Sequence, residues 1–371
     1  MGGWWWFTQY APGTEKPATK APTPKRPAPP PVGITNPPPA TKPISPPASA
    51  TINTTPAAPP ANLPDVNTNT ALISTNPPAP PPSSTASRPV QDVFEAQLAL
   101  ARRGISCGSL DGVMGSQTKA GLRAFQHSKS LPASGLLDDA TRRVLLLTPP
   151  AFTNYIVNTN DLARLRPLPR DWLGKSGQAS LDYETILELV AEKSWSHPAF
   201  IKELNPGVNW AAVPPNTALR VPNVAAPPDD ATAAFIRISL SGRSLEVFDA
   251  RTNLLVHFPC SIAHLVEKRP VGRFHVVLVI PNPNYMFNPE NFPESEEARR
   301  IGRKLLIPPG PNNPVGTVWI GLDKPGYGIH GTPVPEEVGR TESHGCFRLA
   351  NWNVETLTRF VLVGTPVYVV P

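Results

Sequence analysis

Two histidines and one cysteine, His330, His344 and Cys346, fall within 17 consecutive positions of a 371-residue chain. A thiol near neutral pH is mostly protonated; an imidazole beside it takes the proton and can hold a thiolate–imidazolium pair. Glycines accompany all three residues, and Gly331 and Gly345 leave room for backbone N–H groups to approach a substrate oxygen. Arg348 stands two positions past the cysteine, so in an extended segment the two side chains share a face. Spacing alone leaves two other readings open. His330, His344 and Cys346 are zinc-type ligands, yet no Cys-x-x-Cys or further histidine pair lies nearby, and His257, His264 and His275 lack ligand-like spacing. Alternatively, Cys346 is a small buried residue beside surface histidines. The nucleophile reading expects no metal and no cofactor.

The segment 233–371 that must position these residues is rich in β signals. Ile236-Arg237-Ile238-Ser239-Leu240 alternates with period two, and Leu245-Glu246-Val247-Phe248 returns after a Ser-Gly-Arg turn. Phe274 to Ile280 reads as a longer buried strand, with further strands at Val318-Trp319-Ile320 and Val367-Tyr368-Val369-Val370. One helix carries Val354, Leu357 and Val361, with Asn353 as a candidate cap. About 140 residues suffice for a core. The stretch from Asn282 to Lys304, rich in Asn, Pro and Glu, reads as a substrate-shaping lid.

Upstream, the composition changes. Proline makes up 51 of the 371 residues, about half of it before position 91. Residues 1–90 therefore read as a disordered, partly polyproline-II linker, too poor in large apolar residues to offset its ordering entropy. Residues 91–148 read as a small helical bundle. Val93, Phe94, Leu98 and Ala101 recur at helical spacing and Gly104 stops that helix. Ser116 caps a second helix, and a third ends at Val144-Leu145-Leu146-Leu147. The turns at Asp111-Gly112 and Gly135-Leu136 make a weak internal repeat of about 25 residues. Residues 150–224 suggest strand, two helices and strand: Tyr155-Ile156-Val157, Tyr183 to Lys193, Pro198 to Leu204, and Leu219-Arg220-Val221-Pro222.

The net charge of +6 suits an anionic partner. No cluster of Lys and Arg with interleaved aromatics favours nucleic acid. No apolar run approaches the ~20 residues of a membrane span, and the apolar stretch at Trp4-Trp5-Trp6-Phe7 is too short for a signal peptide. Three cysteines exclude a dense disulfide framework; Cys107 and Cys260 read as buried thiols, although a single bridge between them is formally open.

Three resemblances follow from these residues. The run Gly108-Ser109-Leu110-Asp111-Gly112-Val113-Met114-Gly115, with Thr118 and Phe125-Gln126, resembles the three-helix peptidoglycan-binding domain family. Residues 150–224, with the Asn205-Pro206 turn and the closing Val221-Pro222, loosely resemble a LysM glycan-binding module, in which Leu162 to Ser180 has no counterpart. His330-Gly331-Thr332 followed by Ser343-His344-Gly345-Cys346-Phe347-Arg348-Leu349 is similar to the L,D-transpeptidase catalytic domain of the YkuD type. Pro270-Val271-Gly272-Arg273-Phe274 and Gly310-Pro311-Asn312-Asn313-Pro314-Val315-Gly316 extend that likeness over 233–371.

The YkuD resemblance implies a β-sandwich and an enzyme acting on peptidoglycan stem peptides and glycan strands in the periplasm or cell wall. It implies that Cys346 attacks the stem carbonyl, that His330 is the base, and that His344, Gly345 and Ser343 surround the oxyanion. Some relatives carry Ser at the position of Gly331 to orient the histidine; here only the Gly331 carbonyl is available. Arg348 is implied as substrate-orienting or structural. The product would be a 3→3 cross-link between stems; hydrolysis, attachment of a wall protein, or a non-catalytic wall-binding role are the alternatives. Arg269 and Phe347 depart from the family's usual Thr and aliphatic residue, which bears on specificity.

Overall fold

The computed structural model describes residues 86–228, 231–341 and 345–371. These belong to one of the chain's two units, Asn76–Pro371; the other, Met1–Thr75, and with it nearly all of the Pro-rich segment, lies outside the described residues.

The bundle begins earlier than the sequence suggests. Strand β1 (Arg88–Pro89) precedes helix α1 (Val93–Ala101), Val90 is buried, and Arg88 forms an ion pair with Glu95, so the folded part starts before residue 91. Asp92 caps α1 by accepting the Glu95 N–H. Helix α2 (Ser116–Ser128) has Gly115, not Ser116, at its cap position and no side-chain cap. Helix α3 (Asp139–Val144) is capped by Asp138 and stops short of Leu146-Leu147, which form strand β2 (Leu146–Leu147) against β1. The weak repeat is physical. Gln97 accepts the Gly112 N–H and donates to Thr118 Oγ1; Gln126 accepts the Gly135 N–H and donates to Thr141 Oγ1. Gly112 and Gly135 both have φ of 72°, a conformation glycine adopts without steric cost.

The middle segment has strand β3 (Phe152–Ile156), helices α4 (Thr159–Arg164), α5 (Trp172–Ser176), α6 (Ile186–Lys193) and α7 (Pro198–Leu204), and strand β4 (Ala218–Pro222) antiparallel to β3. Thr185 and Glu188 close a capping box on α6. Leu189, Val190 and Ile201 bury one face of α6 and α7 against Leu219 and Val221 of β4.

In the C-terminal part, β5 (Phe235–Ser239), β6 (Ser244–Phe248), β7 (Leu254–Pro259), β8 (Gly272–Pro281), β11 (Val318–Leu322), β12 (Gly328–His330), β13 (Phe347–Arg348) and β14 (Pro366–Val370) form one sheet, ordered β13-β12-β11-β8-β14-β5-β6-β7. Between β8 and β11 come the short pair β9 (Tyr285–Phe287) and β10 (Leu305–Ile307) and helix α8 (Glu296–Ile301); α9 (Asn351–Leu357) precedes β14. The expected two-sheet sandwich is thus a single curled sheet. Its outer strands meet: Ser261, just past β7, exchanges both backbone hydrogen bonds with Arg348 of β13 (2.9 and 3.0 Å). Ile236, Val247, Phe258, Val276, Ile329 and Phe347 share one core inside the curl, which α9 seals with Val354 and Leu357. Asn353 is a buried residue within α9, bonded to Ser106 Oγ, and Ala350 holds the cap position.

Both upstream parts pack on the C-terminal part, the bundle on the large sheet and the middle segment on the β9–β10 pair. The bundle's Gly104–Ser106 adds itself to strand β7 through Ser106 N–H to His257 O (2.8 Å) and His257 N–H to Gly104 O (2.9 Å). The insertion Leu162 to Ser180 brings Trp172 onto Phe287 (centroids 4.5 Å apart), beside Tyr285 and Phe292, in a small core of its own with Leu181, Leu305 and Ile307. Among the described residues no helix is long and apolar enough to cross a membrane.

Candidate active site

Strands β12 and β13 run parallel, with Ile329 beside Phe347 and His330 beside Arg348. Side chains alternate across a strand. Ile329 and Phe347 enter the core, so His330 and Arg348 lie on the other face, and Cys346, two residues before Arg348, falls on that face as well.

His330 is buried and tightly held. Its ring stacks on Trp319 of β11, with centroids 5.6 Å apart and planes 19° from parallel. Its Nδ1 lies 2.6 Å from the Gly331 carbonyl oxygen. A carbonyl only accepts, so Nδ1 carries the proton and Nε2 is left as the basic nitrogen. Burial lowers its pKa to about 4, opposed by the Gly331 bond and assisted by the nearby Arg348 charge.

Cys346 is half-buried, and its thiol donates to the Gly326 carbonyl at 3.4 Å. Burial raises its pKa to about 11, with the Gly328 backbone opposing. The resting pair is therefore a neutral thiol and a neutral imidazole, where the sequence suggested a thiolate–imidazolium pair: desolvation disfavours both charges. Cys107 and Cys260 are fully buried free thiols, each pushed up to about 12, which leaves Cys346 as the accessible sulfur.

Arg348 is half-buried and donates from Nη2 to Thr341 Oγ1 (3.2 Å). Gly345 borders open space, where an added β-carbon would meet nothing. Ser343 and His344 lie outside the described residues, so their expected places at the oxyanion rest on the motif alone. Among the described residues no group of three or more His, Cys, Asp and Glu side chains is arranged to hold a metal. Sequence reasoning missed the parts three residues play here: Trp319 under the imidazole, Tyr285 of the expected lid, whose phenol pKa is raised by burial and then by the neighbouring Cys346, and Asn351 behind Gly331. Trp319 entered the sequence reading only as part of a strand, and Tyr285 and Asn351 lie outside its quoted motifs.

Residues 233–369 match the family model described as L,D-transpeptidase catalytic domain. That match spans 137 of the chain's 371 residues. Residues 89–145 match the model described as "Putative peptidoglycan binding domain". The chain is 28% identical over 188 residues to the protein named "Putative L,D-transpeptidase YkuD" of Bacillus licheniformis, covering 51% of this chain and 94% of that one. It is 38% identical over 106 residues to "Putative L,D-transpeptidase YqjB" of Bacillus subtilis, covering 27% and 51%. Among solved structures, an L,D-transpeptidase from Mycobacterium smegmatis is 18% identical, covers 42% of this chain and 64% of that one, and superposes with a TM-score of 0.30. At that TM-score the family assignment rests on the sequence matches. The match at 233–369 supports an acyltransferase class, and the two matches together indicate peptidoglycan as the partner.

Proposed function

We propose that the chain is a peptidoglycan L,D-transpeptidase that forms 3→3 cross-links through a thioacyl-enzyme on Cys346. The observation that carries this reading is the placement of His330 and Cys346 on one face of paired strands, with the Gly331 carbonyl holding Nδ1–H and so leaving Nε2 as the base. As the sulfur attacks the carbonyl between the third, L-configured centre and the terminal D-residue, His330 Nε2 takes the thiol proton. The carbon–nitrogen bond then breaks and the imidazolium returns that proton to the departing amine of D-alanine. The side-chain amine of a second stem attacks the thioester, gives its proton to His330, and the sulfur leaves as the thiol. Backbone N–H groups at Gly345 and Cys346, with His344 and Ser343, hold the oxyanion, each donor supplying about 3–4 kcal/mol. Arg348 orients a stem carboxylate. The bundle and the LysM-like segment hold glycan, and the substrate places the protein in the periplasm or cell wall.

Incubating the protein and its Cys346→Ala variant with disaccharide-tetrapeptide stems, with products read by mass spectrometry, tests this directly. Cross-linked dimers from the wild type alone support it. Free tripeptide with released D-alanine shifts it to a carboxypeptidase, and products that survive Cys346→Ala overturn it.

A further inference from the structure

Asn351 is fully buried at the start of α9, directly behind the residues that follow His330. Its Oδ1 accepts the Thr332 N–H (3.0 Å) and the Thr317 N–H (3.2 Å). Its Nδ2 donates to both carboxyl oxygens of Glu192 (3.1 and 3.2 Å) and to the Pro311 carbonyl (3.3 Å). Glu192 lies on α6 of the middle segment, 159 residues away in the chain.

The peptide group joining Gly331 to Thr332 is a rigid plane. Its N–H is held by Asn351, and its carbonyl accepts the His330 Nδ1 proton at 2.6 Å. Asn351 thus sets the tilt of the plane that sets the imidazole. A β-carbon on Gly331 or on Gly316 would collide with Asn351 Oδ1, so these two glycines leave the amide the space it fills. An amide has one accepting end and one donating end, and with the Pro311 carbonyl and Glu192 both facing Nδ2, Oδ1 stays turned toward Thr332.

We propose that Glu192 and Asn351 are positioning residues for His330, which makes the middle segment a working part of the catalytic site as well as a wall-facing module. This rests on the reading of His330 as the base. The groups facing the Glu192 carboxyl are Asn351 and Glu355 of α9, Tyr183 (O–H to Oε1, 3.3 Å) and Glu188 on its own helix. Burial raises its pKa to about 8, opposed by the Asn351 bond, so near neutrality it is largely a protonated acid. Glutamine is the near-isostere of that form.

The test compares the full chain with Glu192→Ala, Glu192→Met and Glu192→Gln in stem cross-linking, alongside nitrogen NMR of the His330 ring. Methionine keeps the volume without the acceptors if alanine fails to fold. We expect kcat to fall by about 10- to 100-fold in Ala or Met with KM within a few-fold, because a displaced base costs turnover rather than binding. Gln restores kcat to within a few-fold. The His330 ring is a single Nδ1–H tautomer in the wild type and Gln, and mixed in Ala or Met. Active wild type with unchanged kcat in both Ala and Met overturns the positioning role and leaves the proposed function standing. If wild type makes no Cys346-dependent product, the proposed function falls, and an unchanged ring tautomer in Met still overturns the positioning role.

Discussion

Desolvation sets the terms at the residue scale. A thiol near 11 facing an imidazole near 4 is a pair with almost no resting ion-pair population around neutrality. In the proposed mechanism His330 acts as a base only when neutral and Cys346 delivers its proton only when protonated, so kcat/KM should be level from about pH 5 to pH 9 and fall outside the two pKa values. A pH profile with a steep limb near pH 6–7 would instead reveal the ion pair that the bare motif suggests. Alkylation of Cys346 by iodoacetamide should correspondingly be slow at pH 7 and accelerate toward pH 10–11, whereas an activated thiolate would react at neutral pH. Replacing His330 by alanine should lower turnover by about 10²–10⁴-fold, the usual worth of a positioned base. The chemistry of this pair was legible in the sequence as residue types and order. Their charge state was not, because burial by Trp319 and by the neighbouring strands is a product of folding.

Short, non-local elements position the pair. Strands β12 and β13 span three and two residues, too short to show a period-two pattern, and they pair in parallel although residues 331–346 separate them in the chain. The longer strands β5, β6, β8, β11 and β14 were all readable from alternation or apolar runs, but the edge-to-edge closure by Ser261 and Arg348 depends on curl, which no local pattern encodes. Gly331 illustrates the tolerance of this corner. Gly331→Ala places a methyl against Asn351 Oδ1, and the overpacking should cost about 1–3 kcal/mol, measurable by urea denaturation. The expected lid is equally specific. Trp172 stacks on Phe287 and its backbone N–H donates to Glu297 Oε1 (2.6 Å), so residues 162–180 fasten residues 285–307. Trp172→Ala should cost up to about 3 kcal/mol, since the ring is half-buried, and should raise hydrogen exchange in 285–307 ahead of the rest of the sheet.

Three sequence-distant parts share surfaces across the described molecule. The family matches lie at 89–145 and 233–369, the first starting two residues before the 91–148 expected for the bundle. What the sequence did not show is their mutual dependence: Gly104–Ser106 completes strand β7, Asn353 bonds Ser106, and Gln117 donates to the Val338 carbonyl on the loop leading to Cys346. These are hydrogen bonds between residues more than a hundred positions apart, invisible to any window. Deleting residues 1–148 should therefore leave β7 with an unpaired edge, and light scattering should show association of the truncated protein where the full chain stays dispersed. The central claim is that Cys346 is the nucleophile. It is tested most directly by quenching the protein with acid during turnover of a tetrapeptide stem and mapping peptides by mass spectrometry. A tripeptide-stem adduct on the Cys346 peptide, absent after hydroxylamine treatment and strongly diminished in His330→Ala, is the predicted result; an unmodified Cys346 during measurable turnover, or an adduct on another residue, would contradict it.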